Sequence, residues 1–314
     1  MDVSVILVNY FTSSLCRDAL ASIREKSKGV SYEVIIVDNS NDSEEFARLS
    51  VVAKEFGALA IDPKDNLGFG KANNLGAEKA TGKYLFLLNT DTYLINDAIT
   101  ALFDFLERTP DAGIAGANLY TKEGMPTHSF DKEELSVSSA KKGGSFWYLL
   151  KRALTKKRND FNFGDDPIEL DGCVVGAALM IRKSLFDELG GFDKEIFMYA
   201  EESLLCYRCI HERHMRIFNV PSSKIVHLEG QSFSADGASR RARYWARGNC
   251  RYFTFVFGEK EARRFIAVSK RSYGRKAFVC SLLFKKDQAR YYRAFSKELG
   301  AFEASWSGSQ VSLD

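Results

Sequence analysis

Apolar runs and polar breaks alternate regularly from residue 1 to about residue 120. Val3–Val8 reads as a strand buried on both faces, Ser13–Lys26 as a helix, Val34–Val37 as a second strand, Ser43–Phe56 as a helix and Tyr84–Leu88 as a further strand. Strand and helix patterns in this alternation predict an α/β fold: a mostly parallel central sheet with helices on both faces. Ligands of such sheets lie beyond the carboxyl ends of the strands. Polar residues stand at those ends: Asn9-Tyr10, Asp38-Asn39 and Asn89-Thr90-Asp91.

Tyr120–Glu169 interrupts the pattern, being polar, charge-rich and glycine-containing, and reads as an excursion that could cover the crevice. Regularity returns with the apolar strand Val174–Ile181. The helix after it is predicted to be capped by Ser184, with Asp187 three residues on, and to end at Gly190-Gly191. Phe192–Glu202 then forms the loop into the next helix. A last strand, Arg216–Val220, precedes Pro221, and Ile225-Val226 delivers His227. Beyond about Ser232 the chain turns basic, aromatic and helix-favouring, which predicts a domain over 1–232 and a helical extension over 233–314.

At 314 residues and 45% hydrophobic, the chain is long enough to bury a full core. No basic leader or cleavage site precedes Val3, and no apolar run approaches the roughly 20 residues that cross a bilayer. Six cysteines without a secretory cue fit free thiols, so the expected location is the cytoplasm. Cys206 and Cys209 are closely spaced, but they share a helical stretch with no second pair, and buried structural thiols are the simpler reading.

The net charge of +3 conceals an asymmetry: Arg240–Gly300 holds 17 Lys and Arg against 4 Asp and Glu. A second basic segment, Lys141–Arg158, surrounds Phe146-Trp147-Tyr148. Two readings stand for 141–158 and 240–300, a peripheral contact with an anionic membrane surface and an ordinary solvated helical face. Nucleic acid is not expected, because no binding motif accompanies the charge.

Several polar residues can carry chemistry. Asp38 is placed to accept hydrogen bonds from a nucleobase or ribose, or else closes an Asx turn with Asn39 and Ser40. The stretch Asn66–Asn74 combines glycines and amides that let backbone approach a phosphate or sugar, although its spacing is not that of a Walker loop. In extended backbone Asn89 and Asp91 point the same way, a hard-oxygen set suited to Mg²⁺ or Mn²⁺. Glu201-Glu202 follows the mostly apolar Phe197–Ala200, so partial desolvation would raise a carboxyl there toward the working range of a general base. The alternative for that pair is a solvated first helical turn. His227 by itself reads as a half-buried imidazole, and only the company of Asp91 promotes it to a ligand.

Val3–Tyr10, Val34–Ser40, Asn66–Asn74, Leu87–Asp91 and Gly190–Arg208 together resemble the inverting family-2 glycosyltransferases, in particular their rhamnosyltransferase-like branch. The resemblance covers roughly residues 2–232. It implies a GT-A fold, a nucleotide-diphosphate-sugar donor, a divalent metal (Mg or Mn) and a glycan or polyprenyl-linked glycan acceptor in cell-surface polysaccharide synthesis. Asn89-Thr90-Asp91 would stand at the Asp-x-Asp position, with Asp91 and His227 as metal ligands. Glu202, with Glu201 beside it, would match the Glu-Asp base motif. Tyr10, Asp38, Asn39, Asn66, Gly68, Phe69, Asn73, Asn89 and Thr90 would line the donor site. Three positions depart from the family pattern: Asn89 replaces the first aspartate, Glu202 replaces the usual aspartate, and Leu204 stands where many relatives carry an acid.

Two rival readings follow from the same residues. A sugar nucleotidyltransferase needs a Gly-rich basic loop after the first strand, where this chain has Asn9-Tyr10-Phe11-Thr12-Ser13. A non-catalytic nucleotide-sugar-binding or assembly module would explain the departures at Asn89 and Leu204 as lost activity.

Overall fold

A computed structural model describes residues 1–143, 158–228 and 238–306. The chain divides into two compact units. The first comprises Met1–Glu134, Asn159–Lys194 and Glu202–Ser232; the second comprises Leu135–Arg158, Glu195–Glu201 and Phe233–Asp314. Two segments that sequence assigns to the first domain, around 135–158 and 195–201, thus group with the basic tail. Phe146-Trp147-Tyr148 lies outside the described residues.

The first unit is built on a nine-stranded sheet. Its strands are β1 (Val3–Asn9), β2 (Tyr32–Asp38), β3 (Leu59–Ile61), β4 (Tyr84–Leu88), β5 (Thr92–Leu94), β6 (Ala112–Tyr120), β8 (Ile168–Leu170), β10 (Ala178–Arg182) and β11 (Arg216–His227); a separate ribbon pairs β7 (Phe130–Asp131) with β9 (Cys173–Val174). The order is β3-β2-β1-β4-β10-β6-β11-β5, with β8 also on β11. β1, β2, β3, β4, β6 and β11 run one way, and β5, β8 and β10 run against them.

The near-continuous apolar strands are explained by burial on both faces. Val3, Val5 and Leu7 of β1 join one core with Leu20 and Ile23 of α1 (Ser13–Lys26), Leu49 of α2 (Ser43–Phe56) and Leu102 of α4 (Ala98–Arg108). Ile6 belongs to a second core with Ala77 of α3 (Phe69–Lys79), Phe186 of α6 (Lys183–Glu188) and Leu205 of α7 (Glu201–Arg213). This period-two division is what a parallel sheet covered on both sides requires.

Helix ends follow local chemistry. Asp42 caps α2 by accepting from the Glu44 and Glu45 amides, and Gly57 ends that helix at φ 68°. Asp97, not the neighbouring Asn96, caps α4, accepting from the Thr100 amide. Asn96 instead bridges to β11 through Ser222 O and the Lys224 amide. Ser184 is not a cap either: α6 starts at Lys183, and its N-cap residue Arg182 makes no side-chain cap bond.

The second unit contains α5 (Val137–Gly143), α8 (Ala238–Phe257), α9 (Glu259–Leu282) and α10 (Lys286–Ser305). Aromatic rings form its core: Phe253 stacks on Phe265 at 4.0 Å, and Tyr273 on Phe295 at 4.2 Å. The tail also packs the 195–201 segment, with Phe197 against Tyr244 at 4.7 Å. At Gly248 a Cβ would lie 1.9 Å from Tyr199 O, so only glycine admits that backbone. This packing recruits a loop that sequence pattern alone assigns to its neighbours in the chain.

Candidate active site at the carboxyl end of the sheet

Strand register brings Asp91 to His227. β5 begins directly after Asp91 and pairs antiparallel with the end of β11, with Thr92 opposite His227, Tyr93 opposite Val226 and Leu94 opposite Ile225. The Leu228 amide continues the ladder to Asp91 O at 2.9 Å. A register shift between Val220 and Lys224, around Pro221, lets β11 pair with β6 on both sides of the irregularity. The Asp91 Oδ1 and His227 Nε2 atoms are 3.4 Å apart, on side chains 6% and 14% exposed. Asn89 Nδ2 lies 3.5 Å from the same Nε2.

This donor set suits a hard or borderline divalent cation: one nearly buried carboxylate and one imidazole, with an amide beside them. No cluster of three or more His, Cys, Asp or Glu exists among the described residues. Two protein ligands with open positions match Mg²⁺-type sites in which substrate phosphates complete the shell. The residues present therefore fit the cation.

The donor-side residues form a hydrogen-bonded floor. Asn9 is fully buried; its Nδ2 donates to Asp38 Oδ1 (2.9 Å) and Glu45 Oε1 (3.1 Å), and its Oδ1 accepts from the Thr12 amide and hydroxyl. Asp38 Oδ1 also accepts from the Ser40 amide at 3.1 Å, so the Asx turn exists. The second Asp38 oxygen makes no hydrogen bond among the described residues and stays available to a ligand. Thr90 is buried, and its hydroxyl lies 2.9 Å from that of Thr12, tying the two strand ends together. Tyr10 is half-buried, its ring edge-on to Phe11 at 5.0 Å.

Some residues that the sequence assigns to the donor site hydrogen-bond within the scaffold. Asn39 Nδ2 donates to Gly68 O at 2.8 Å and its Oδ1 accepts from the Leu67 amide, so its amide group holds the Asn66–Gly68 loop against β2. Asn66 accepts from the Gly68 amide, and buried Asn73 donates back to Phe69 O. Gly68, at φ 77°, delivers the chain into α3 in a conformation that favours glycine. These three amides, with the Gly68 backbone that they engage, shape the loop leading to Phe69.

Glu202 joins the site through the turn before β10. Ala177 O accepts from the Asn89 amide at 3.0 Å. At the adjacent Gly176 a Cβ would sit 3.7 Å from both Phe69 Cε1 and Glu202 Cβ, and 3.8 Å from the Glu202 carboxyl carbon. Phe69, Gly176, Glu202 and Asn89 thus share one end of the sheet. Glu202 is half-buried and its carboxyl is held above the usual carboxylate range by burial and, less, by the Asp131 charge, opposed by a backbone hydrogen bond and by His128. Asp131 and His128 come from the excursion that the sequence pattern left unread; His128 Nε2 is 3.2 Å from Asp131 Oδ1. Their only sequence signal was being polar residues in a segment placed over the crevice.

Glu201, the first residue of α7, is buried and belongs to the second unit, whereas Glu202 belongs to the first. Leu204 is 1% exposed and packs into the interior. The cysteines are unpaired; Cys206 and Cys209 are buried, and burial pushes the Cys209 thiol up to about 12 and the Cys206 thiol well above its ordinary value, as for structural thiols.

Asn74, the last residue of the Asn66–Asn74 stretch, also bonds within the scaffold. Its Nδ2 donates to Phe192 O at 2.9 Å and its Oδ1 accepts from the Phe192 amide at 2.8 Å. This pairing secures the turn at Gly190 and Gly191, which take φ values of 72° and 74°.

Residues 4–190 match the family described as Glycosyl transferase family 2. The chain belongs to that family. Among family-2 relatives, it is 24% identical over 245 residues to the O-antigen biosynthesis protein RfbC of Myxococcus xanthus, covering 77% of this chain and 18% of RfbC. It is 26% identical over 216 residues to the low-salt glycan biosynthesis hexosyltransferase Agl10 of Haloferax volcanii, covering 67% and 62%. With the N-acetylglucosaminyl-diphospho-decaprenol L-rhamnosyltransferase of Mycobacterium tuberculosis it shares 27% over 192 residues, covering 57% and 61%. The chain therefore spans less than two thirds of the length of each of these relatives. The mannosyltransferase PcManGT of Pyrobaculum calidifontis, solved in complex with GDP-Man and Mn²⁺, superposes with a TM-score of 0.58 at 15% identity, over 96% of this chain and 87% of that one. The family-2 chain accordingly has the GT-A fold.

Proposed function

We propose that this chain is an inverting glycosyltransferase that moves a hexosyl or rhamnosyl group from a nucleotide-diphosphate donor to a hydroxyl of a glycan or polyprenyl-linked glycan. The observation that carries the reading is the meeting of Asp91 and His227 at the sheet end that also holds Asp38 and Glu202.

Each residue has a role that its surroundings support. The open oxygen of Asp38 accepts hydrogen bonds from the nucleoside, Phe69 packs against the donor, and Asn89 and Thr90 line its sugar-phosphate. Asp91 and His227 would hold the divalent cation, which supplies charge compensation for the diphosphate. Glu202 takes the proton of the acceptor hydroxyl as that oxygen bonds to the anomeric carbon. The bond from that carbon to the diphosphate oxygen breaks, and the nucleoside diphosphate departs. Its raised proton affinity suits Glu202 to this task at near-neutral pH.

The relative acting on a decaprenyl-diphosphate sugar supports a lipid-linked acceptor. Such an acceptor implies work at a membrane surface, and the basic second unit is compatible with an anionic one. No described helix is long and apolar enough to cross a membrane.

Thermal-shift screening of nucleotide sugars with and without Mn²⁺ tests the donor reading, since a ligand that binds the native state stabilises it in proportion to ln(1 + [L]/Kd). The expected result is stabilisation by one nucleotide sugar that is enhanced by Mn²⁺. No stabilisation by any nucleotide or nucleotide sugar would overturn the proposal.

A further inference from the structure

The turn between α9 and α10 presents a large uncovered apolar surface on an otherwise basic unit. Phe278 is 62% exposed, Leu282 57%, Leu283 50% and Phe284 87%. Phe278 and Leu282 are four residues apart on α9 and so lie on one helix face, which Gly274 extends. Phe284 sits at φ 56°, in the left-handed region, immediately after the helix ends. A phenylalanine in that conformation, with its ring in water, finds no compensation within the second unit.

Charge organises the other side of the same turn. On α10, Lys286, Arg290, Arg293 and Lys297 follow one another at spacings of four, three and four, a single helical stripe. A groove lined by Gly274, Ala277 and Phe278 of α9 and by Arg293, Ser296 and Lys297 of α10 joins the apolar stripe to the basic one. From Lys270 to Lys297 there are nine Lys or Arg and one acid, Asp287. Lys285, Lys286 and Lys297 form no ion pair among the described residues.

We infer that the α9–α10 turn is a bilayer-inserting tip: Leu282, Leu283 and Phe284 enter the acyl boundary of an anionic phospholipid membrane, while the Lys286–Lys297 stripe lies on its phosphates. Apolar residues beside a basic stripe are the composition of an interfacial anchor. Charge complementarity selects an anionic bilayer over a second copy of this chain, because two such stripes would repel each other. The inference deepens the membrane reading given above and is independent of the assigned base and cation ligands.

Co-sedimentation of the full chain with phosphatidylglycerol–phosphatidylcholine vesicles, compared with phosphatidylcholine alone, tests it. The wild type is expected to bind the anionic vesicles and to release as salt rises. Phe284→Ser should lower partitioning about tenfold or more, the scale of withdrawing one buried aromatic side chain. Lys286→Ala and Lys297→Ala should each lower it about fivefold. In Phe284→Trp, indole emission should shift to the blue on anionic vesicles and be quenched by brominated acyl chains. These positions are exposed, so thermal stability and the nucleotide-sugar thermal shift should match wild type. That separation keeps failure of the tip distinct from failure of the glycosyltransferase reading. Undiminished vesicle binding by Phe284→Ser, or concentration-dependent self-association abolished by that variant without any vesicle binding, would overturn the inference.

Discussion

Asp91 and His227 are held with Oδ1 and Nε2 3.4 Å apart because β5 starts immediately after the aspartate and pairs back onto the strand that ends in the histidine. Among the described residues neither side chain has another ion-pair partner, and both keep some exposure.

If Asp91 and His227 hold the cation as proposed, replacing either should abolish the Mn²⁺ response while leaving the fold intact. Asp91→Ala and His227→Ala are each expected to weaken Mn²⁺ binding beyond the roughly 10–100-fold that outer-shell changes produce. Isothermal titration with Mn²⁺ and nucleoside diphosphate reads this. Wild-type affinity in Asp91→Ala would remove the aspartate from the site.

Glu202→Gln should reduce transfer by roughly 10²–10⁴-fold, the usual contribution of a positioned base, with donor binding retained. Its effect on stability has a definite sign. Because the folded-state proton affinity is raised above the usual 4.5, the native state binds more protons than the unfolded chain just above that pH. Stability then falls as pH climbs from 4.5 through the folded value. Glu202→Gln is expected to flatten that decline in a pH series of Tm, and a steeper decline would contradict it.

The acidic limb of the pH–rate profile should move with the neighbours of Glu202. Asp131 raises the proton affinity of this carboxyl and His128 lowers it. Asp131→Asn should shift the limb to lower pH, and His128→Ala should shift it to higher pH. Identical limbs in the three proteins would mean that another group sets the profile.

Asn9 has a purely structural role that replacement should expose. Its amide donates to the buried carboxylates of Asp38 and Glu45. Asn9→Leu is expected to cost at least about 1.5–3 kcal/mol, the range for one hydrogen bond to a charged group. Urea denaturation measures it, and an unchanged midpoint would show that other donors replace the amide.

Gly176 separates Phe69 from Glu202, and a Cβ there would make contacts of 3.7 Å, ordinary van der Waals distances. Gly176→Ala should thus fold normally and keep most transfer. Gly176→Leu, which extends into the space between the two side chains, should lose transfer while retaining most of its thermal stability. Full transfer by the leucine variant would place the acceptor elsewhere.

Much of this protein was legible without coordinates. Apolar runs of strand length, buried on both faces, announced the sheet, and polar residues just past them marked its carboxyl end, because backbone hydrogen bonding and hydrophobic burial act within each short segment. The Asp91–His227 and Glu202 candidates were legible through ordered motifs that resemble those of the family. Tertiary structure alone gave the partners of the loop amides: Asn39, Asn66 and Asn73 resemble ligands in sequence, and each bonds to loop or helix backbone. It also decided that Asp131 and His128 adjoin Glu202, that residues 195–201 pack with the basic tail, and that Phe284 is left uncovered. Those outcomes depend on contacts between segments distant in the chain, and periodicity within one segment carries no information about what another segment will bring beside it.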